Sequence, residues 1–153
     1  MDLLIRPMRG SDLDHVVAIA AGMPLAPQWP GLAYLEAITP EIGPQRVALV
    51  AESDRELAGF AVASVLLPES ELESIAVAVS FQGKGVGLAL LEAILRELRR
   101  LGAEETILEV RQSNAAAIRL YRRMGFQDAG VRAGYYQSPA ENALVMRFSA
   151  RLF

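Results

Sequence analysis

Cysteine is absent from this 153-residue chain, and histidine occurs only once, as His15. A disulfide framework and a thiolate metal site are therefore excluded, and one imidazole cannot form a histidine cluster. We accordingly expect no metal centre. The sequence also lacks any uncharged apolar run of about 18 residues, and its first ten residues contain no apolar segment behind a basic one. We expect a cytoplasmic protein that does not enter a membrane.

An excess of basic residues is also missing. Lysine and arginine number 15 against 18 acidic residues, which gives a net charge of −3. This balance provides no electrostatic footprint for nucleic acid, so a cationic partner suits the chain better. At 52% hydrophobic residues, the chain is long enough to bury one core and too short for two ordinary domains. We predict a single domain over residues 1–153, as a monomer or homodimer.

Runs typical of strands and helices succeed one another along the first half. Ser11-Asp12 is expected to cap the first helix, which should end at Gly22. The loop at 23–30 is marked by three prolines. The predicted elements are a strand at 3–8, helices at 13–21 and near 32–38, and strands at 47–52, 57–67 and 71–79. The last three strands predict an antiparallel meander.

The second half is more strongly patterned. Leu91, Ile94, Leu98 and Leu101 recur at steps of three and four, which places them on one helical face, with Gly102 at the C-cap. The further predicted elements are a strand at 106–110, a helix at 114–124 closed by Gly125, and strands at 126–132 and 143–148. This order predicts a mixed α/β (α+β) sheet with helices on both sides.

A glycine-rich loop, Gln82-Gly83-Lys84-Gly85-Val86-Gly87, lies between a predicted strand and a predicted helix. Glycine lets the backbone turn tightly and approach a ligand, and the first turn of a helix presents unpaired N–H groups with a positive partial charge. Such a junction suits a pyrophosphate, to which Lys84 would add a charge. The alternative is a glycine-rich turn that binds nothing.

Two common phosphate loops do not match this segment. A Walker A loop requires four residues between its glycines and then Gly-Lys-Ser/Thr, which is missing. The dinucleotide fingerprint requires Gly-x-Gly-x-x-Gly, whereas Gly85 and Gly87 are followed by Leu90. The preceding strands also read as antiparallel, which argues against a Rossmann unit.

The pattern Gln82-x-x-Gly85-x-Gly87 resembles the pyrophosphate signature of the GNAT N-acetyltransferase superfamily. The resemblance implies the GNAT acyl-CoA N-acyltransferase fold, a mostly antiparallel sheet of about seven strands flanked by about four helices. It also implies acetyl-CoA as the cosubstrate. The residues implied to bind it are Ile75, Ala76 and Val77 along the pantetheine, and Gln82, Gly83, Lys84, Gly85, Val86, Gly87 and Leu88 around the pyrophosphate.

A second motif runs L-E-V-R-Q-S-N-A-A-A-I-R-L-Y-R-R-M-G-F over residues 108–126. It resembles a stretch typical of RimI-type ribosomal-protein alanine N-acetyltransferases. The resemblance implies that Glu109 is the general base, directly or through water, that Tyr121 protonates the departing thiolate, and that Tyr121 and Asn114 contact the cofactor. The alternatives are a strand glutamate paired with an arginine, a core tyrosine, and an Asn114 that only caps a helix.

The acceptor side is predicted from two segments. Gly134-Tyr135-Tyr136, followed by Glu141-Asn142-Ala143, resembles the late stretch of the RimI-type enzymes that shapes the peptide groove. The loop at 23–30, which holds Trp29, is the other candidate wall. Tyr135, Tyr136 and Trp29 are therefore the candidate substrate-binding residues. Packing tyrosines and an ordinary connector are the alternatives.

These features together predict transfer of acetyl from acetyl-CoA to a primary amine by direct attack on the thioester. The resemblance implies a protein N-terminal α-amine as acceptor, with a ribosomal protein as the candidate partner. Two rivals stay open: a small amine or lysine side chain as acceptor, and a noncatalytic acetyl-CoA-binding module.

Overall fold

A computed structural model describes residues 1–149 of the chain. Its centre is one seven-stranded sheet in the order β1-β2-β3-β4-β5-β7-β6. The strands are β1 (Leu4–Pro7), β2 (Gln45–Ser53), β3 (Glu56–Leu66), β4 (Glu69–Val77), β5 (Glu105–Arg111), β6 (Gln127–Tyr136) and β7 (Glu141–Ser149). The helices are α1 (Leu13–Ala21), α2 (Gly31–Ala37), α3 (Val86–Arg100) and α4 (Ala115–Met124). The predicted fold class is confirmed. Within residues 1–149 no helix is both long and apolar enough to span a membrane.

The sheet is antiparallel except where β4 meets β5. Strands β2 to β4 form the predicted antiparallel meander, β1 pairs with β2, and β5 pairs with β7, both in antiparallel orientation. Parallel pairing between β4 and β5 covers only residues 69–71 and 105–107. Because the two strands are not paired beyond that point, the C-terminal half of β4 has a free edge on this side.

A β-bulge in β4 changes which way its side chains point. Val62 of β3 pairs with Ser74 and Ala63 pairs with Leu72, so Glu73 is the extra residue. Alternation along a strand is strict, and one inserted residue therefore reverses the faces. Leu72 belongs to the core beneath α3, whereas Ala76 belongs to the core on the opposite side of the sheet.

Helices cover both faces of the sheet, as the sequence predicts. The apolar stripe of α3, including Leu91, Ile94 and Leu98, is buried in one core together with Ile118 of α4. A second core lies beneath α1 and α2, where the Tyr34 ring packs edge-on against Phe60 of β3. Each core buries the apolar stripe of an amphipathic helix against a β-branched or aromatic strand face.

The ends of α3 and α4 follow the sequence signals with one adjustment. The Asn114 side chain accepts a hydrogen bond from the Ala117 N–H at 3.3 Å, so Asn114 caps α4 as predicted. Gly125 closes that helix with φ of +113°. At the end of α3 the C-cap is Leu101, one residue before the predicted Gly102. Gly102 follows the cap with φ of +103°. Glycine is favoured there because its φ is left-handed.

Asp12 is the N-cap residue of α1, as predicted, but its side chain does not cap the helix. A short 3-10 turn at 10–12 precedes the helix, and the carboxylate of Asp12 makes no cap hydrogen bond to α1. It accepts instead from the Arg6 guanidinium at 2.8 and 2.9 Å and from the Arg9 N–H at 2.8 Å. The bond with Arg6 lowers the pKa of Asp12. This pair joins β1 to the start of α1.

Strand β6 extends four residues beyond its predicted end at Arg132. The register between β6 and β7 shifts between Arg132 and Tyr136, so the strand bulges there. Gly134 takes a φ of +62°, and its N–H donates to the Asn142 side chain at 2.9 Å. The irregular end of β6 carries Tyr135 and Tyr136, and the Tyr136 ring lies beside Arg111 of β5.

Candidate active site

A cavity of about 530 Å³ opens where β4 and β5 separate. It connects the α1–α2 connection, the free edge of β4, the glycine loop, and the inner faces of β5 and α4. Most of the residues predicted from the sequence line it. They are Ile75, Ala76, Val77, Gln82, Gly83, Gly85, Val86, Gly87, Leu88, Glu109, Asn114, Tyr121 and Tyr136. Lys84, Trp29 and Tyr135 are not among its lining residues.

The glycine loop enters α3 without a capping side chain. Gly85 is the N-cap residue, with φ of +82°, and Gly83 has φ of +76°. A Cβ added at either position would meet nothing within 4 Å, so the space in front of the loop is open. Uncapped first-turn N–H groups that face open space form an anion-binding site.

Gly87 has a different reason to be glycine. A Cβ there would lie 3.2 Å from a methyl group of Leu120, so the residue lets α3 pack closely against α4. Lys84 does not line the cavity, but its ammonium lies 5.6 Å from the centre of the ring of Phe81, which does. Arg123 of α4 does line the cavity. It is a cation that sequence reasoning missed, although it lies inside the 108–126 motif.

Glu109 lies on the opposite face of β5 from Leu108 and Val110, which are buried in the α3 core. Its side chain is 17% exposed. One carboxylate oxygen, Oε1, accepts a hydrogen bond from Arg132 Nη1 at 2.8 Å. The other, Oε2, is buried, and within residues 1–149 it has no hydrogen-bond partner. A buried acceptor without a donor is uncommon in folded proteins. This oxygen is available to a ligand in the cavity.

Tyr121 reaches the same cavity from α4. Its ring is buried and packs against Phe126 at a centroid distance of 5.7 Å. Burial raises the pKa of the Tyr121 hydroxyl, and neighbouring Tyr136 raises it further. The hydroxyl therefore stays protonated at neutral pH and is a hydrogen-bond donor.

The hairpin of β6 and β7 is held against β5 by Arg111. This buried guanidinium donates to the carbonyl oxygens of Pro139 at 2.9 Å and Gln137 at 3.2 Å, and it stacks on Tyr136 at 4.4 Å. Burial and the nearby Glu109 carboxylate raise the pKa of Tyr136 to about 12. Arg111 fixes the position of Tyr136 in the cavity wall, a role that the sequence did not reveal.

The α1–α2 connection covers the cavity beside Gln82. The Gln82 side chain donates to the Met23 sulfur at 2.8 Å and to the Val77 carbonyl at 3.3 Å, which ties this connection to the end of β4. Leu25, Ala26 and Pro27 line the cavity, so this connection forms part of its wall. Trp29 itself packs on Tyr34 at a centroid distance of 5.1 Å and contributes to the second core.

A larger concavity, of about 1070 Å³, lies between α3 and the β1–β2 edge. It contains neither the glycine loop nor Glu109 nor Tyr121. Within residues 1–149, no group of three or more His, Cys, Asp or Glu side chains is placed to hold a metal ion. The smaller cavity is therefore the candidate active site, because the predicted chemistry converges there.

Comparisons with known proteins agree with this assignment. A family model described as the Acetyltransferase (GNAT) family matches residues 17–126. The ribosomal protein bS18-alanine N-acetyltransferase of Escherichia coli K12 is 44% identical over 93 residues, which are 60% of this chain and 63% of that protein. The enzyme of the same name from Salmonella typhimurium is 42% identical over 106 residues, 68% of this chain and 72% of its own length.

Among solved structures, the crystal structure of the ribosomal-protein-S18-alanine N-acetyltransferase from E. coli superimposes with a TM-score of 0.83 at 32% sequence identity. The superposition covers 97% of this chain and 94% of the E. coli chain. The family model covers well over half of the sequence. The chain belongs to the GNAT acetyltransferase family.

Proposed function

We propose that this protein transfers the acetyl group of acetyl-CoA to the N-terminal α-amine of a protein. The observation that carries the proposal is the continuity of one cavity, which runs from the glycine loop along the free edge of β4 to Glu109, Tyr121 and Tyr136. An anion site, an exposed strand edge and proton-transfer groups are the parts that acyl transfer from a pyrophosphate-bearing thioester requires.

The residues around the cavity fit acetyl-CoA. The open space before Gly83 and Gly85, together with the uncapped start of α3, suits a pyrophosphate, and Arg123 supplies a cation nearby. The free edge of β4 at 75–77 offers backbone donors and acceptors to an extended amide-bearing chain. Acetyl-CoA, when bound, supplies the thioester that is the acetyl donor.

Glu109 is assigned as the base. Attack on a thioester requires a neutral amine, so a proton must leave the acceptor before or during attack. The buried Oε2 of Glu109 has no partner within residues 1–149 and can take that proton directly or through one water molecule. An oxygen already engaged by several donors would be a poorer acceptor.

Tyr121 is assigned as a hydrogen-bond donor to the departing sulfur. A thiol has a pKa of about 8.5, below the value of about 10 of an unperturbed phenol, so full proton donation from tyrosine to thiolate is already uphill. Burial raises the pKa of Tyr121 and makes that donation less favourable still. The hydroxyl can nevertheless stabilise the developing negative charge without losing its proton.

An α-amine is the acceptor that this site deprotonates most easily. A protein N-terminus has a pKa of about 7.7–8.0, whereas a lysine side chain has one of about 10.4. The named relatives act on the alanine of ribosomal protein bS18. We assign a ribosomal protein N-terminus, in the cytoplasm, as the acceptor, with Tyr136 and neighbouring Tyr135 shaping the peptide groove. Trp29 supports the covering segment through its contact with Tyr34.

Thiol release from acetyl-CoA tests the proposal against its rivals. The acceptor panel comprises peptides that differ in their first residues, polyamines, and lysine peptides with blocked N-termini. We expect release with free-N-terminus peptides and little with the other two groups. Turnover confined to polyamines or blocked lysine peptides would contradict the acceptor assignment. Tight acetyl-CoA binding without acceptor-dependent release would indicate a binding module.

A further inference from the structure

Glu109 Oε1 accepts a hydrogen bond from a residue outside the motifs, Arg132 of β6. Glu109 lies opposite Val145 of β7, and Arg132 lies opposite Ala143. Val145 and Ala143 are two residues apart and share a face, so Glu109 and Arg132 share it too. The arginine side chain crosses β7 to reach the carboxylate.

The two partners differ in how firmly they are held. Glu109 is 17% exposed, whereas Arg132 is 56% exposed and rests on the Tyr135 ring at 4.5 Å. An arginine that keeps most of its hydration gains little from a single ion pair and can leave it at low cost. The Glu109 side chain is mostly buried on β5, so it cannot turn out into solvent as Arg132 can.

The position of Arg132 conflicts with the reaction. At neutral pH an acceptor amine arrives mostly as an ammonium ion, and its attraction to Glu109 would bring two cations to one carboxylate. Like charges at such short separation repel each other, and the exposed guanidinium of Arg132 is the cation that can move into solvent. Resting on our proposed function, we infer that Arg132 is a displaceable counterion of Glu109 and that the acceptor's ammonium takes its place.

This exchange makes the base respond to the substrate. While Arg132 donates to Glu109 Oε1, that oxygen is occupied, and departure of the guanidinium frees it for the proton to be removed. The other titratable groups near Glu109 are Glu71 of β4 and the two tyrosines at the end of β6. Arg111, two residues further along the same face of β5, is a fixed cation, but its guanidinium donates to the carbonyl oxygens of Pro139 and Gln137 and to the Glu141 carboxylate.

The split between KM and kcat tests this inference. In Arg132→Met the counterion is missing from the free enzyme, so the acceptor's ammonium has no cation to displace and the peptide KM should fall about two- to five-fold. The kcat should stay close to that of the wild type, because in the wild type Arg132 has already left the complex.

Peptide binding provides a readout that does not depend on turnover. An alanine-initiated hexapeptide should bind Arg132→Met about two- to five-fold more tightly than wild type. Its N-acetylated counterpart, which lacks the ammonium, should bind both proteins equally. Arg132→Lys retains a cation and should behave as wild type does. Arg122→Met is the matched control, because Arg122 is 55% exposed and bonds Asp128 at 2.8 Å outside the cavity.

Two results would overturn the inference while leaving the proposed function intact. A lower kcat in Arg132→Met with an unchanged peptide KM would mean that the arginine stays on Glu109 throughout the reaction. Unchanged kcat and KM with unchanged peptide affinity would mean that the arginine does not compete with the acceptor. A wild-type protein that releases no thiol with any peptide would overturn the proposed function, and with it the inference.

Discussion

Replacement of Tyr121 by phenylalanine removes one hydroxyl from the cavity and little else. The ring packs against Phe126 in the α3 core, and phenylalanine fills the same volume. We therefore expect the free energy of unfolding to change by less than about 1 kcal/mol. A hydrogen bond to a charged group contributes about 1.5–3 kcal/mol. Loss of such a bond to the developing thiolate should lower kcat by about 10- to 150-fold.

The pH profile separates hydrogen bonding from acid catalysis in the same variant. Because burial raises the pKa of Tyr121, the hydroxyl is protonated throughout the range in which the enzyme can be assayed. Its deprotonation therefore cannot produce a basic limb, and wild type and Tyr121→Phe should share the same profile above pH 8. A basic limb present only in the wild type would show that Tyr121 titrates as the catalytic acid.

The assay is steady-state thiol release at saturating acetyl-CoA, with thermal melts run in parallel. Tyr34→Phe is the matched control, because Tyr34 is also a buried tyrosine but belongs to the second core and does not line the cavity. We expect its kcat to equal that of the wild type. The KM for acetyl-CoA should change by less than about twofold in both variants, since neither hydroxyl is needed to hold the pyrophosphate. Wild-type kcat in Tyr121→Phe would refute the assigned role.

Three further substitutions test the parts that position the cavity. Gly85→Ala places alanine at a φ of +82°, which costs about 1–2 kcal/mol; thermal melts should show a lower Tm, and steady-state kinetics a higher KM for acetyl-CoA. Asn114→Ala removes the cap of α4 and should lower the free energy of unfolding by about 1 kcal/mol, measured as a lower midpoint of urea unfolding. Asn114→Asp retains a capping oxygen and should keep most of that stability. Arg111→Met frees the hairpin that carries Tyr136, so the peptide KM should rise while the KM for acetyl-CoA stays constant.

Local signals in the sequence were sufficient for the elements that carry the cofactor side of the site. The stripe of Leu91, Ile94 and Leu98 predicted the buried face of α3, and Asn114 predicted the start of α4. Glycines at positions 83 and 85 predicted a loop that the structure shows with left-handed φ values and open space before it. In each case the information lies within a few residues of the chain.

The features that the sequence did not predict depend on residues far apart in the chain. The β4 bulge at Glu73 follows from pairing with β3 and has no local marker. The bond of Arg132 to Glu109 joins residues 23 positions apart across an intervening strand. The partner of the Asp12 carboxylate was not predicted, because an aspartate that caps a helix and one that binds an arginine look alike in sequence. Family resemblance identified Glu109 but could not reveal its counterion.

We propose that the acceptor is an N-terminal α-amine. One peptide that carries both a free N-terminus and an internal lysine, incubated with the protein and acetyl-CoA, distinguishes the two possible acceptors. Fragment-ion mass spectrometry then locates the added 42 Da. We expect a single acetyl group on the N-terminal residue and an unmodified lysine. Acetylation of the lysine with an unmodified N-terminus would show that the acceptor is not an N-terminal α-amine.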